Sequence, residues 1–237
     1  VLIGALTVGD SVKATLREQA LARIGGIDVA MLTGDRYVRE TLADAVKAAP
    51  ALRINGVAAT PNGDGRANDV QVMGVDERFF ELAPEATTPP DRGDVLLNER
   101  LARQLGVDVG ASILLRIEKP SALPRDMVLA QNDELTIGLR VNVDRIIGDE
   151  SFGRFGLEAN QVPPFNAFVD LAWLQEQLEL DGRVNALLAS GIDVAAADAA
   201  LGDAWTIADA GIELVDETDL GVVDTLSSRV FLDEPII

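Results

Sequence analysis

Between Asp94 and Ile117 the spacing of apolar positions changes twice, and three elements follow from it. Val95, Leu96 and Leu97 form a short continuous run that suits a buried strand. Leu101, Ala102 and Leu105 then fall three and four apart, which places them on one face of a helix from Glu99 to Leu105. Asn98 suits the N-cap, because its side-chain oxygen can accept a free backbone N–H of the first turn. Glu99 sets negative charge at the positive end of the helix. Gly106 suits the left-handed residue that stops it, and Gly110 the tight turn into a second strand ending at Ile117. The unit carries no catalytic group; its signature is one of packing.

The same reading along the rest of the chain predicts alternating helices and strands. Asp10 or Ser11 caps a helix to about Ile24, with Val12, Leu16, Ala20 and Ile24 as its apolar stripe and Gly25-Gly26 as its end. Ile27–Leu32 reads as a buried strand. Asp35 caps a second helix through about Ala48, built on Val38, Leu42, Ala45 and Val46, with Pro50 just beyond it. Leu52–Thr60 and Asp69–Val75 read as strands joined by the turn Pro61–Asn68. Glu77-Arg78-Phe79-Phe80 is a short amphipathic turn, and Pro84, Pro89 and Pro90 make a linker-like stretch.

After the 94–117 unit, Lys119–Asp133 reads as a loop and Leu135–Ile147 as a strand. Ala167–Leu171 is then a strand, Ala172–Leu180 a helix, and Arg183–Ser190 a strand. Val194–Leu201 is a helix, Ile212–Val215 a strand, and Leu226–Leu232 a final strand. Helix–strand units on both sides of a different insert predict an α+β fold. Residues 1–75 and 148–237 would form one discontinuous subdomain, with a β-rich subdomain, 76–147, inserted into it.

Composition narrows the function classes. With 237 residues the chain can bury an ordinary core, and its low aromatic content, 4%, rests that core on Leu, Val, Ile and Ala. Twenty basic against 39 acidic residues give a net charge of −19, which argues against nucleic acid and against docking on anionic lipid. The chain has no cysteine and no histidine, so disulfides, Cys/His zinc sites, thiol nucleophiles and histidine-based triads are excluded from it. No run reaches the roughly 20 apolar residues of a membrane span. Val1–Val8 is nonetheless uncharged and mostly apolar, and the sequence stops at Ile236-Ile237. That suggests a segment of a longer protein, its start being either the outer end of a membrane helix or a first core strand.

Candidate chemistry is sparse. Asn62, Asp64 and Asp69 in the stretch from Pro61 to Asp69 could offer oxygens to calcium, but no bidentate glutamate closes the register and Arg66 adds opposing charge. Asn-Gly and Asp-Gly pairs between strands favour a simple turn. Phosphate-binding glycine patterns and the nucleophile elbow are missing. Gly153-Arg154-Phe155-Gly156 stands at no strand–helix junction, and no carboxylate pair is singled out for hydrolysis. Trp173 and Trp205 read as core anchors. The expectation is therefore no catalytic, cofactor-binding or metal-ligating residue.

Several short motifs stand in order along the chain. They are Gly9-Asp10-Ser11-Val12, then Val72-Met73-Gly74-Val75-Asp76 with Phe79-Phe80. The most distinctive is Val95-Leu96-Leu97-Asn98-Glu99 with Leu101-Ala102, Leu105-Gly106-Val107 and Gly110. Asn166-Ala167-Phe168-Val169-Asp170-Leu171 with Leu174, and Val184-Asn185-Ala186-Leu187-Leu188, complete the set. Together they resemble the extracytoplasmic "periplasmic core" domain of MacB/FtsX-type ABC transporter permeases, the Val95–Gly110 motif most strongly. The family usually has Gly-Asp where this chain has Gly110-Ala111, and Phe152–Pro164 resembles a subset of these permeases.

The resemblance implies a porter-like α/β-layer subdomain with an inserted, mostly β subdomain, outside the cell membrane and between two membrane helices. It also implies a non-enzymatic role in passing ATP-driven motion to a substrate or partner. The implied partners are the flanking membrane helices, a separate ATP-binding subunit and a second permease copy. The competing readings are a free-standing extracytoplasmic ligand-binding module and, behind it, a carboxylate-dependent hydrolase.

Overall fold

The computed structural model describes residues 23–119, 136–158, 162–210, 212–217 and 222–227, the last two stretches for backbone only. The segment Val1–Val8, the helix expected from Asp10 or Ser11 (apart from Arg23 and Ile24, which are helical), the loop from Pro120 to Asp133 and the end at Ile236-Ile237 lie outside the described residues.

The fold is α+β and is built around one long strand, β3 (Ala49–Ala59). Along one side β3 pairs with β4 (Arg66–Val75), from Ala51 opposite Val75 to Ala59 opposite Arg66. Its other side serves two partners in succession. Ala49–Ala51 pair with β10 (Ala186–Ala189), whereas Gly56–Ala59 pair with β6 (Ser112–Glu118). The switch falls at a bulge between Gly56 and Ala58, where Asp69 of β4 adopts φ 55° as the extra residue. Gly56 permits the approach of β6, because a Cβ there would lie 2.7 Å from the Arg116 carbonyl oxygen.

From β4 the sheet passes to β8 (Phe165–Asp170), β5 (Asp94–Asn98) and β7 (Thr136–Ile147), then returns to β6. Six strands thus close a ring of pairings, β3–β4–β8–β5–β7–β6, from which β10 and β1 (Val29–Leu32) extend. One face of every ring strand is apolar at period two: Leu52 and Ile54, Val70 and Val72, Ala167 and Val169, Val95 and Leu97, Val141 and Val143, Ile113 and Leu115. All belong to a single buried cluster. Two helices, α3 (Glu99–Leu105) and α4 (Leu171–Leu178), add Leu101, Leu105, Leu174 and Leu178 to the same cluster.

A second cluster lies on the opposite face of β4, β5 and β8, around Met73, Leu96 and Phe168. It is dominated by Phe79 and Phe80 from α2 (Glu77–Glu81) and by Phe152 and Phe155. These rings meet at centroid distances from 4.9 to 5.7 Å, several of them edge to face. The scarce aromatics are thus concentrated in one place: five of seven phenylalanines share this layer.

Residues 76–147, expected as an insert, supply β5, β6 and β7. Of these, β6 hydrogen-bonds to β3 and β5 to β8 of the outer segments, β7 joins β5 to β6, and all three share the apolar cluster.

Several expectations require correction. The helix from Asp35 to Ala48 shrinks to α1 (Leu42–Ala45). Val38 instead pairs with Val184 in a two-residue ladder of β2 (Val38–Arg39) with β9 (Arg183–Val184), and Arg39 is held by Asp209. These long-range contacts outweigh the propensity of a short helix, whose nucleation is costly. Pro50 lies inside β3, opposite Leu187, not beyond a helix. The buried strand at Ile27–Leu32 is a half-exposed edge strand, Val29–Leu32, with Leu32 47% exposed. Arg183–Ser190 is split into β9 and β10 at Asn185, whose side chain accepts from Arg53 N (2.7 Å) and donates to Arg53 O (2.9 Å), replacing a strand partner for β3. The helix from Val194 runs on to Ala204 as α5. The last described strands, β11 (Ile212–Glu217) and β12 (Val222–Ser227), pair with each other; the final strand therefore begins earlier than Leu226.

The unit expected over Asp94–Ile117 is present: the helix Glu99–Leu105, its Asn98 cap and its Gly106 stop fall where expected, while the first strand runs from Asp94 to Asn98 and the second ends one residue later, at Glu118. Asn98 accepts from Leu101 N at 3.0 Å, and Gly106 closes α3 at φ 66°, ψ 39°. Nothing lies within 4 Å of a Cβ built at Gly106, so backbone conformation alone constrains the position. Gly106→Val is expected to lower stability by about 1–2 kcal/mol, the cost of a β-branched residue in the left-handed region. Chemical denaturation checks this, and an unchanged midpoint would contradict the glycine stop.

Candidate functional site

The outer face of the ring carries a row of amide side chains that crosses four adjacent strands. Asn55 of β3 stands opposite Gln71 of β4, Gln71 opposite Asn166 of β8, and Asn98 follows on β5. The row runs from solvent to interior: Asn55 is exposed, Gln71 half-buried, Asn166 and Asn98 buried. Gln71 Nε2 donates to Asn166 Oδ1 (3.2 Å), and Asn166 Nδ2 donates to the carbonyls of Phe155 (2.9 Å) and Gly153 (3.4 Å). Asn98 completes it. Its Oδ1 accepts from Leu101 N and Asn166 N, and its Nδ2 donates to Gly153 O (2.7 Å) and Pro164 O (3.0 Å). Every lone pair and N–H that an asparagine offers is engaged, the condition for burying the group without penalty.

At its solvent end the row opens into a groove of about 410 Å³. Arg53 and Asn55 alternate with the inward Leu52 and Ile54, so they form its floor with Gln71. Arg100 and Phe165 stand at its wall. The Arg100 guanidinium sits 4.0 Å above the Phe165 ring centroid and donates to Pro163 O, which fixes its pose. Arg53 Nη2 meets Glu158 Oε1 at 2.7 Å; Glu158 is 63% exposed and Arg53 24%.

A second polar cluster lies far from the groove in sequence. The buried Asp209 accepts from Arg39 Nη2 (2.6 Å), Arg39 N (3.1 Å), Thr206 N and Thr206 Oγ1 (both 2.9 Å). Burial pushes the Asp209 carboxyl up, but the hydrogen bonds from Arg39 and Thr206 outweigh that and hold it at about 2. Arg39 also donates to Ala204 O at the end of α5, and Arg183 donates to Ala208 O. The geometry fastens the 204–210 turn, and through it β11, to the β2–β9 ladder.

The residues weighed from the sequence separate in space. Asn62 donates its side-chain amide to the Asp64 carboxylate within the β3–β4 turn, while Asp69 serves as the bulge residue of β4. No group of three or more acidic side chains able to hold a metal is found among the described residues. Of the stretch Gly153–Gly156, Phe155 joins the aromatic layer and Gly153 O anchors the amide row. Trp173 packs against the first cluster as expected, but Trp205 is 42% exposed and is no core anchor. The amide row escaped sequence reading because its members stand on four strands; polar residues within otherwise apolar strands are the signal that points to it. Among the described residues no helix is long and apolar enough to cross a membrane.

No family model matches the chain, and no curated protein matches it. Solved structures similar to it include the periplasmic region of MacB from Actinobacillus actinomycetemcomitans, at TM-score 0.46 and 9% identity over 88% of this chain and 92% of that one. They also include the extracellular domain of the noncanonic ABC-type transporter YknZ from Gram-positive bacteria, at TM-score 0.42 and 9% identity over 69% of this chain and 78% of that one.

Proposed function

We propose that the chain is a non-enzymatic, extracytoplasmic domain of an ABC transporter permease of the MacB/FtsX type. In this reading it couples ATP-driven motion inside the cell to export, extraction or a partner outside the membrane. The observation that carries the reading is the 94–118 unit. Its strand, Asn98 cap, helix and Gly106 stop form the strongest motif of the sequence resemblance, and the fold has each of them in register. The porter-like layering, and residues 76–147 as an insert, belong to the reading, with the insert contributing ring strands and not a core of its own. ATP hydrolysis falls to a separate subunit, the flanking membrane helices carry the motion, and a second permease copy faces this one. The acidic surface fits a role without nucleic acid.

The test is the intact protein. Apolar spans of about 20 residues are expected immediately before Val1 and shortly after Ile237, and co-purification with an ATP-binding subunit. A cleavable leader with no spans, and no such subunit, would sink the reading. A free-standing ligand-binding module is the second reading, favoured by the open groove beside Arg53.

A further inference from the structure

The groove reverses the charge of the molecule around it. The chain carries 20 basic against 39 acidic residues, yet among the described residues the groove is lined by three arginines, Arg23, Arg53 and Arg100, against two carboxylates, Asp69 and Glu158. A general acidic surface keeps anions away, so a concave local excess of guanidinium groups selects the few that match its geometry. The remaining floor groups, Asn55 and Gln71, are uncharged amides that can both donate and accept. Guanidinium forks with neutral amides form a chemistry suited to an oxyanion borne on a polar body.

The arrangement of Arg53 adds the decisive detail. Its guanidinium meets Glu158 Oε1 at 2.7 Å, from a side chain that is 63% exposed. An ion pair so open is weak, and an arriving carboxylate or phosphate can compete with Glu158 for the Arg53 guanidinium. Arg100, by contrast, is fixed over Phe165 and by Pro163 O, so its orientation is set before any ligand arrives.

We propose that this groove binds a small polar anion through its carboxylate or phosphate oxygens, that Arg53 is the principal counter-charge, and that Glu158 is an internal stand-in which the ligand displaces. The proposal holds independently of whether the chain belongs to a transporter. Two probes test it on the isotope-labelled 237-residue chain: inorganic phosphate and citrate, each titrated while backbone amide shifts are followed. Saturable shifts at Arg53, Asn55 and Gln71 are expected for at least one probe, and the stronger of the two assigns the ligand to the phosphate or the carboxylate class.

Glu158→Gln removes the competing carboxylate from an exposed position and is expected to tighten binding twofold to fivefold. Arg53→Gln is expected to weaken it at least tenfold with the fold retained. If Arg53→Gln fails to fold, the Glu158→Gln result decides alone. Non-saturating shifts with both probes, or a Glu158→Gln variant that binds no better than the wild type, would overturn the proposal.

Discussion

Asn98→Asp is expected to destabilise the chain by about 4 kcal/mol, even though aspartate caps a helix as well as asparagine does. The reason lies on the nitrogen side of the amide. Asn98 Nδ2 donates to Gly153 O at 2.7 Å and Pro164 O at 3.0 Å, from a side chain only 2% exposed. A carboxylate there keeps the bonds to Leu101 N and Asn166 N but sets negative charge against two carbonyl oxygens, with no water to intervene. Each buried group left unsatisfied costs about 1–3 kcal/mol, and a buried unpaired charge costs more. Asn98→Ala loses both sides of the network and is expected to cost about 3 kcal/mol, with capping accounting for about 1 kcal/mol of that. Urea denaturation of both variants checks the ordering. If Asn98→Asp lay within 0.5 kcal/mol of the wild type, Asn98 would be a helix cap and nothing more.

Asp209→Asn is the second large effect, about 3 kcal/mol at neutral pH. The substitution keeps the shape of the side chain but turns an N–H₂ group towards the N–H donors of Arg39 and Thr206 and leaves the guanidinium without its counter-charge. Its pH dependence identifies the mechanism. The folded carboxyl is held at about 2, below its ordinary 3.8, because the hydrogen bonds from Arg39 and Thr206 outweigh the upward push of burial. A lowered acid gives stability that is fully present above its unfolded value and is lost as pH falls through its folded one. The contribution is about 2 kcal/mol, present above about pH 4 and disappearing towards pH 2. The difference in unfolding free energy between wild type and Asp209→Asn should therefore narrow as pH falls from 4 to 2. A difference that stays constant over that window would show that shape, not charge, sets the role of Asp209.

The two positions differed in how visible they were beforehand. Asn98 stood out because a cap acts on its own helix, within three residues, and local sequence carries that information. Its bonds to Gly153 and Pro164 did not, since these partners come from segments 55 and 66 residues away. Asp209 and Arg39 are 170 residues apart and carried no mark at all. The same separation explains the Asp35–Ala48 helix: its apolar spacing suited a helix, but Val38 and Arg39 found better partners in Val184 and Asp209.

What the sequence by itself determined is local and periodic. It set the 94–117 unit, the β3–β4 hairpin with its Asn-Gly turn, the alternation of β7, the strand–helix pair β8–α4 and the α+β class, because caps, turns and face periodicity act over a few residues. It also excluded, through the lack of cysteine and histidine, whole classes of chemistry. Only the tertiary structure decided that β3 divides its outer edge between β10 and β6, so that strands from residues 76–147 close a ring with the outer segments. Only it set Asn55, Gln71, Asn166 and Asn98 in one row and brought Arg53 to Glu158. Strand partners are chosen by the burial of whole faces and by a backbone approach such as the one Gly56 permits, and neither is written at any single place in the chain.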